Sequence, residues 1–94
     1  MHKPSKIKFP VDLSKHELEL IRDKTFFDPD LILSALANNN YCLNLTLDQI
    51  NDLAGWVAAE ANHAKSARLE EKLGDLYDKL DSLSYECSRQ GNSN

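Results

Sequence analysis

A leucine repeat in the last third of the chain is the feature that most constrains its fold. Apolar residues step by 4, 3, 4, 3 and 4 positions, at Leu69, Leu73, Leu76, Leu80, Leu83 and Cys87. An α-helix turns once every 3.6 residues, so this spacing aligns the side chains along one helical face. The repeat therefore predicts a long helix over about 66–87. Gly74 lies inside it, but the leucine phase continues past this glycine, so we expect an unbroken helix.

Three helix starts precede this repeat. Each combines a capping side chain with a second start signal: Ser14 with Glu17, Thr46 with Gln49, and Asp28 followed by Pro29. The asparagine run at 38–40 is expected to end the second helix, because asparagine tolerates the left-handed conformation found at helix ends. Together these signals predict helices over about 15–26, 29–38, 47–63 and 66–87.

The predicted fold is an all-α, small four-helix bundle, with an optional short two-stranded β-ribbon formed by residues 7–13 and 41–45. Both ribbon segments alternate apolar and polar residues, and Pro10 would confine the first to an edge position. A chain of 94 residues has room for one domain, 1–94. Residues 1–5 and 88–94 have no apolar anchor and are expected to fray.

The connection between the last two helices allows two interpretations. Residues 62–66 are a plausible turn, which we favour, but residues 47–87 could also form one long bent helix. Small residues at Gly55, Ala58 and Ala61 predict that the last helix crosses close to the middle of the third.

Catalytic and cofactor-binding motifs are not evident in the sequence. The three glycines are isolated, which excludes a glycine-rich phosphate loop. Cys42 and Cys87 lie 45 positions apart without a Cys-x-x-Cys pattern, so we interpret them as small buried hydrophobic residues. We therefore predict a protein that is not an enzyme, with no catalytic residues and no cofactor.

Glu60 and His63 are weak candidates for metal ligands. Their i, i+3 spacing projects both side chains from one helical turn, as in carboxylate-bridged metal centres. Such centres need the motif on two helices, and this chain has it once, so a homo-oligomer would have to supply the second copy. A solvated helix face is the simpler interpretation, and no metal is predicted.

Trp56 is the residue most suggestive of binding. At 100° per residue it lies about 120° from the centre of the apolar stripe that contains Ile50. It is either buried against helix 1 or the N-terminal segment, which we favour, or exposed as an anchor for a partner. Tryptophan is enriched at binding hot spots.

The C-terminal helix could also mediate self-association. The apolar stripe of the third helix is mostly alanine and valine after Ile50, so leucines beyond Leu76 could overhang it. A homodimer through Leu76, Leu80, Leu83 and Cys87 is therefore possible. The repeat is shorter than the three or four heptads typical of a coiled coil, and a monomer is favoured.

The composition narrows the possible partners. A net charge of −4 makes nucleic acid an unlikely partner, because phosphate binding relies on lysine and arginine. The longest apolar runs are four residues, against about 20 for a membrane span, which predicts a cytoplasmic protein without membrane attachment. The expected role is a non-enzymatic protein–protein interaction domain with an unidentified protein partner. Alternatives are a metal-binding site assembled in a homo-oligomer and a small nucleic-acid-associated regulator.

Overall fold

A computed structural model describes the backbone of residues 7–92 and the side chains of residues 7–86. In chain order these residues form β1 (Lys8–Asp12), α1 (Lys15–Lys24), α2 (Pro29–Ala37), β2 (Cys42–Thr46), α3 (Leu47–Asn62) and α4 (Ala67–Asn92). The predicted helical fold with a small β-ribbon is thus confirmed. In this part of the chain no helix combines the length and apolar character needed to cross a bilayer.

The two strands form an antiparallel ribbon in which Val11 lies opposite Leu43. The Leu13 N–H extends the ladder by donating to the Tyr41 carbonyl at 2.9 Å. Hydrogen-bonded pairs alternate along an antiparallel ladder, so Pro10 occupies a position where an N–H would point away from the partner strand. The side chains of Val11 and Leu43 face the core, which attaches the ribbon to the helices.

Both predicted capping boxes are present. The Glu17 N–H donates to Ser14 Oγ at 3.0 Å, and the Ser14 N–H donates to Glu17 Oε1 at 2.8 Å. Thr46 and Gln49 make the equivalent pair of bonds at 3.2 and 2.8 Å. Each box satisfies two N–H groups that the first helical turn leaves without a partner.

The asparagine run ends α2 as expected. Asn39 has a φ of 54°, in the left-handed region. Its N–H donates to the Leu36 carbonyl at 3.3 Å, and the Asn40 N–H donates to the Ala35 carbonyl at 2.9 Å. This pair of bonds is the Schellman motif, which satisfies the last carbonyls of a helix.

The third and fourth helices are separate. α3 ends at Asn62, and α4 begins after Ser66, whose hydroxyl accepts from the Leu69 N–H at 3.1 Å. α4 continues through Gly74 to Asn92, and the fraying expected for residues 88–92 stays a prediction. Extending an existing helix adds one hydrogen bond for each residue fixed, which favours this continuation. The expected fraying of residues 1–5, 93 and 94 lies outside the described residues.

The helices pack mainly in two pairs, α1 with α2 and α3 with α4. They share one core with the ribbon, in which the fully buried large side chains are Val11, Leu18, Ile21, Ile32, Leu45, Ile50, Leu53, Val57, Leu73, Leu76 and Leu80. The prediction that Gly55 faces the last helix is wrong. A Cβ at Gly55 would meet no atom within 4 Å, because the buried stripe of α3 runs through Ala54 and Val57 and turns Gly55 outward.

Candidate interaction surface

Trp56 lies on the solvent side of α3. The buried residues of this helix are Ile50, Leu53, Ala54 and Val57, and Trp56 projects from the flank of that stripe. Its side chain remains 36% exposed. The favoured prediction was burial against helix 1 or the N-terminal segment. Trp56 does contact Phe26, at the predicted end of helix 1, but its ring stays partly exposed. Residues 1–6 of the N-terminal segment lie outside the described residues. Phe26, which makes this aromatic contact, lies in the turn between α1 and α2.

Phe26 is held outward by the hydrogen bonds of Thr25. The buried Thr25 hydroxyl donates to the Ile21 carbonyl at 2.7 Å and accepts from the Phe27 N–H at 3.2 Å. These bonds end α1 at Lys24, two residues before its predicted end at 26, and the Thr25 backbone is extended. Thr25 and Phe27 are both buried. Phe26, between them, is left 80% exposed.

The other side of this turn is fixed by Asp28, the N-cap of α2. Its carboxylate accepts from the Leu31 N–H at 3.3 Å, and Pro29 follows at the first helical position. Asp28 has a φ of 28°, a conformation that costs energy for residues other than glycine. The turn that presents Phe26 is therefore restrained by local hydrogen bonds on both sides.

The two exposed rings form an edge-to-face pair. Their centroids are 5.7 Å apart, and the ring planes are inclined by 73°. Such pairs contribute about 0.5–1.5 kcal/mol beyond the area that they bury. We call Phe26 and Trp56 the aromatic pair. It joins the α1–α2 turn to α3 and keeps both rings at the surface.

A groove runs beside Trp56 on the outer face of α3. Its volume is about 270 Å³, and its lining residues are Asn51, Asp52, Gly55, Trp56 and Ala59. We call it the α3 groove. Gly55 leaves its floor open, because the space that a Cβ would occupy contains no atom within 4 Å. The aromatic pair and the α3 groove together form a surface with an apolar wall and a polar end.

The charge of this region differs from that of the rest of the chain. Residues 25–64 contain five carboxylates, Asp28, Asp30, Asp48, Asp52 and Glu60, and no lysine or arginine. Both rings of the aromatic pair belong to this segment. The segment that carries both rings therefore has an excess of negative charge, and Asp52 places part of that charge in the α3 groove.

Glu60 and His63 lie near the other end of the same helix face. They line a separate groove of about 270 Å³ together with Lys24, Lys65, Ala64 and Leu69. His63 is exposed and caps the C-terminus of α3. No cluster of three or more potential metal ligands occurs within the described residues, and the two lysines would oppose a bound cation.

The leucines predicted to support a homodimer lie mainly in the core. Leu76 and Leu80 are 1% and 0% exposed, and Leu83 is half-buried at the margin of the same cluster. Within a single chain, α3 and the core thus already cover Leu76 and Leu80. The Cys87 side chain is outside the described residues, and self-association through this helix stays a prediction.

Cys42 differs from the expected buried thiol. It is half-buried on the outer face of the ribbon, opposite Asp12. A hydrogen bond to the Asp12 carboxylate, followed by the effect of desolvation, raises the pKa of the Cys42 thiol above its ordinary value of 9.0. A raised pKa lowers the fraction of reactive thiolate at neutral pH.

Trp56 could be singled out from the sequence, whereas Phe26 was not predicted as a site residue. The available signal was the position of Phe26 between a residue that ends one helix and the cap of the next. Asp52 and Gly55 were also missed as groove residues, because their role depends on which side of α3 the last helix packs.

Comparisons with protein-family models, with curated proteins and with solved structures find no match for this chain. Its function must therefore be inferred from the chemistry of its own residues.

Proposed function

We propose that this protein is a non-enzymatic, cytoplasmic protein–protein interaction domain. It binds a protein partner through the aromatic pair and the α3 groove. The observation that carries the proposal is the exposure of Phe26, 80% accessible beside Trp56 on a turn whose conformation is restrained.

Restraint distinguishes this surface from an ordinary exposed apolar residue. Single exposed apolar side chains are common on soluble proteins and need no explanation. Here the Thr25 hydrogen bonds and the strained Asp28 backbone hold Phe26 next to a second aromatic ring. A partner would meet two rings already in position, which lowers the entropy lost on binding.

Burial of these rings supplies a driving force for association. Full burial of an exposed phenylalanine contributes about 1.5–3 kcal/mol, and aromatic residues often dominate binding energies. The groove beside Trp56 would admit a side chain from the partner, so contact would extend beyond the two rings.

The proposal includes a scaffold in which all four helices act as one bundle. α1–α2 and α3–α4 are the principal pairs, and their common core together with the Lys79–Glu17 ion pair supports a single rigid unit. Such a unit would keep the α1–α2 turn and α3 in fixed relative positions.

Affinity capture with matched variants tests the proposal. Wild-type protein, Trp56→Ala, Phe26→Ala and Leu33→Ala are immobilised and exposed to lysate of the native host, and bound proteins are quantified by mass spectrometry. Leu33 is an exposed leucine of α2 and serves as the control. Proteins retained by wild type and Leu33→Ala but lost with both aromatic variants are expected. An identical set of bound proteins for all four, with circular dichroism showing every variant folded, would contradict it.

A further inference from the structure

The α3 groove has the chemistry of a site for a cationic side chain. Asp52 is the charged residue of its lining, as far as the described residues show, and Asn51 adds an amide beside it. The Asp52 carboxylate is exposed and makes no ion pair within the described part of the chain. A positive group entering the groove would therefore meet a carboxylate that no internal cation neutralises.

Trp56 adds a second attraction for a cation. Asp52 lies one helical turn before Trp56, and residues at i and i+4 share a helix face. An indole face attracts cations, and it attracts arginine in particular, because the planar guanidinium can stack on the ring while its edge donates to a carboxylate. Lysine offers one compact charge and cannot make both contacts in the same way.

The surrounding charges make the Asp52 end of this α3 face the better site for a cation. Glu60, one turn after Trp56, shares its groove with Lys24, Lys65 and His63, which reduce the attraction for a cation there. The Asp52 end faces no such group among the lining residues. The face is thus polarised along α3, with its negative end at the α3 groove.

We propose, on the basis of the interaction function above, that the partner is a peptide segment carrying an arginine next to an apolar residue. The guanidinium enters the α3 groove, stacks on Trp56 and pairs with Asp52. The apolar residue covers Phe26. Charge complementarity between this peptide and residues 25–64 supplies selectivity for a basic segment.

A displayed library of random 16-residue peptides tests this inference. The library is selected on the full-length wild-type chain and counter-selected on Trp56→Ala. Enriched peptides are expected to carry arginine beside an apolar residue. Their affinity, measured by fluorescence anisotropy, should fall about five- to tenfold for Asp52→Asn and should weaken with increasing salt.

Two controls isolate the groove. Asp75→Asn removes an exposed carboxylate from α4 and should leave the affinity within about twofold of wild type, as expected for a charge outside the contact. Replacing the peptide arginine with citrulline, which keeps the shape but removes the charge, should cost as much affinity as Asp52→Asn.

The possible outcomes separate this inference from the proposed function. Enriched peptides that require Trp56 but lack arginine, or that bind Asp52→Asn and wild type equally, would overturn the arginine site and leave the interaction function standing. Recovery of no peptide that requires Trp56 would overturn both. A wild-type dimer in sedimentation equilibrium that Trp56→Ala dissociates would show that a second copy occupies the surface, which also overturns the arginine site.

Discussion

At the scale of single residues, the conformations of Asp28 and Asn39 determine how α2 is placed. These residues flank the helix, and both have positive φ values, 28° and 54°. Residues other than glycine rarely adopt a positive φ, because their Cβ then lies too close to the carbonyl oxygen. Each is stabilised by local hydrogen bonds, through the Asp28 carboxylate at the start and the Asn39 N–H at the end.

Replacing Asn39 tests the strain at the end of α2. We expect Asn39→Ala to lower the free energy of unfolding by about 1–2 kcal/mol, because alanine tolerates the left-handed conformation poorly. Asn39→Gly should match or exceed wild type. Asn38→Ala, at a φ of −95°, provides the control and should change stability less than Asn39→Ala. Equal urea melts for Asn39→Ala and Asn39→Gly would contradict this expectation.

The reactivity of Cys42 tests how the neighbouring Asp12 carboxylate affects its thiol. The Asp12 carboxylate raises the pKa of the Cys42 thiol, so Asp12→Asn should lower it. Alkylation by iodoacetamide at pH 8, followed by mass spectrometry in a Cys87→Ser background, should then become faster. The alkylation rates with and without Asp12→Asn should converge well above pH 9, where the Cys42 thiol is ionised in both proteins. A rate at pH 8 that does not change with Asp12→Asn would rule out this effect of the carboxylate.

At the scale of secondary-structure elements, each helix start is determined by local chemistry. The Ser14 and Thr46 capping boxes mark the starts of α1 and α3, and Ser66 caps α4. The Ser66 cap was not distinguished from the surrounding turn in the sequence, because no glutamate or glutamine follows three residues later to complete a box.

Gly55 in α3 and Gly74 in α4 offer a matched test of helix stability. A Cβ at Gly74 or Gly55 would meet no atom within 4 Å. Gly74→Ala and Gly55→Ala should therefore each raise the free energy of unfolding by about 1 kcal/mol, the difference in helix propensity. Thermal or urea unfolding measures this gain. If Gly74→Ala destabilises the protein, α4 is not a regular helix at this position.

At the scale of the whole molecule, long-range contacts join elements that lie far apart in sequence. Lys79 Nζ in α4 donates to Glu17 Oε1 in α1 at 2.8 Å. The same carboxylate accepts the Ser14 N–H and so belongs to the first capping box. The C-terminal helix is thereby connected to the start of α1 through a residue that also stabilises the helix start.

Titration of Glu17 makes this connection depend on pH. Desolvation raises the pKa of Glu17, but the bonds from Lys79 and Ser14 together outweigh it and lower the pKa below 4.5. Because the folded-state pKa is lowered, the stabilisation is present above pH 4.5 and is lost as pH falls through the folded-state value.

We expect Glu17→Gln to cost about 0.2–1 kcal/mol at pH 7, since the pair is partly exposed and screened by solvent. Glutamine can still complete the capping box, as Gln49 does. The difference from wild type, measured by urea unfolding, should shrink as the pH is lowered below 4.5. Lys79→Met should produce the same loss at pH 7. A difference that is constant from pH 7 to pH 3 would exclude the ion pair as its cause.

Replacing Leu80 tests whether the leucine repeat packs within a single chain. Its side chain is fully buried within one chain, so Leu80→Asp would bury a charge and should abolish the cooperative melt. Ser82→Asp places the same charge at an exposed neighbouring position and should leave the fold intact. We expect wild-type protein to sediment as a 10.6 kDa monomer at micromolar concentration. A wild type that sediments as a dimer, together with a Leu80→Asp variant that is folded but monomeric, would contradict this expectation.

Features that depend on nearby residues could be predicted from the sequence alone. The capping boxes, the asparagine stop after α2, the alternating ribbon strands and the phase of the leucine repeat are all local, so each could be predicted within a few residues of its observed position. The end of α1 was missed by two residues because Thr25 bonds back to Ile21 in the folded turn.

The candidate binding surface, in contrast, depends on contacts between residues far apart in the sequence. Trp56 could be singled out from its position on the helical wheel, but its contact with Phe26 joins residues 30 positions apart and depends on how the α1–α2 turn packs against α3. The exposure of Gly55 and the burial of Leu76 and Leu80 likewise follow from which faces α3 and α4 present to each other. Periodicity identifies an apolar helix face, whereas the fold determines what that face contacts.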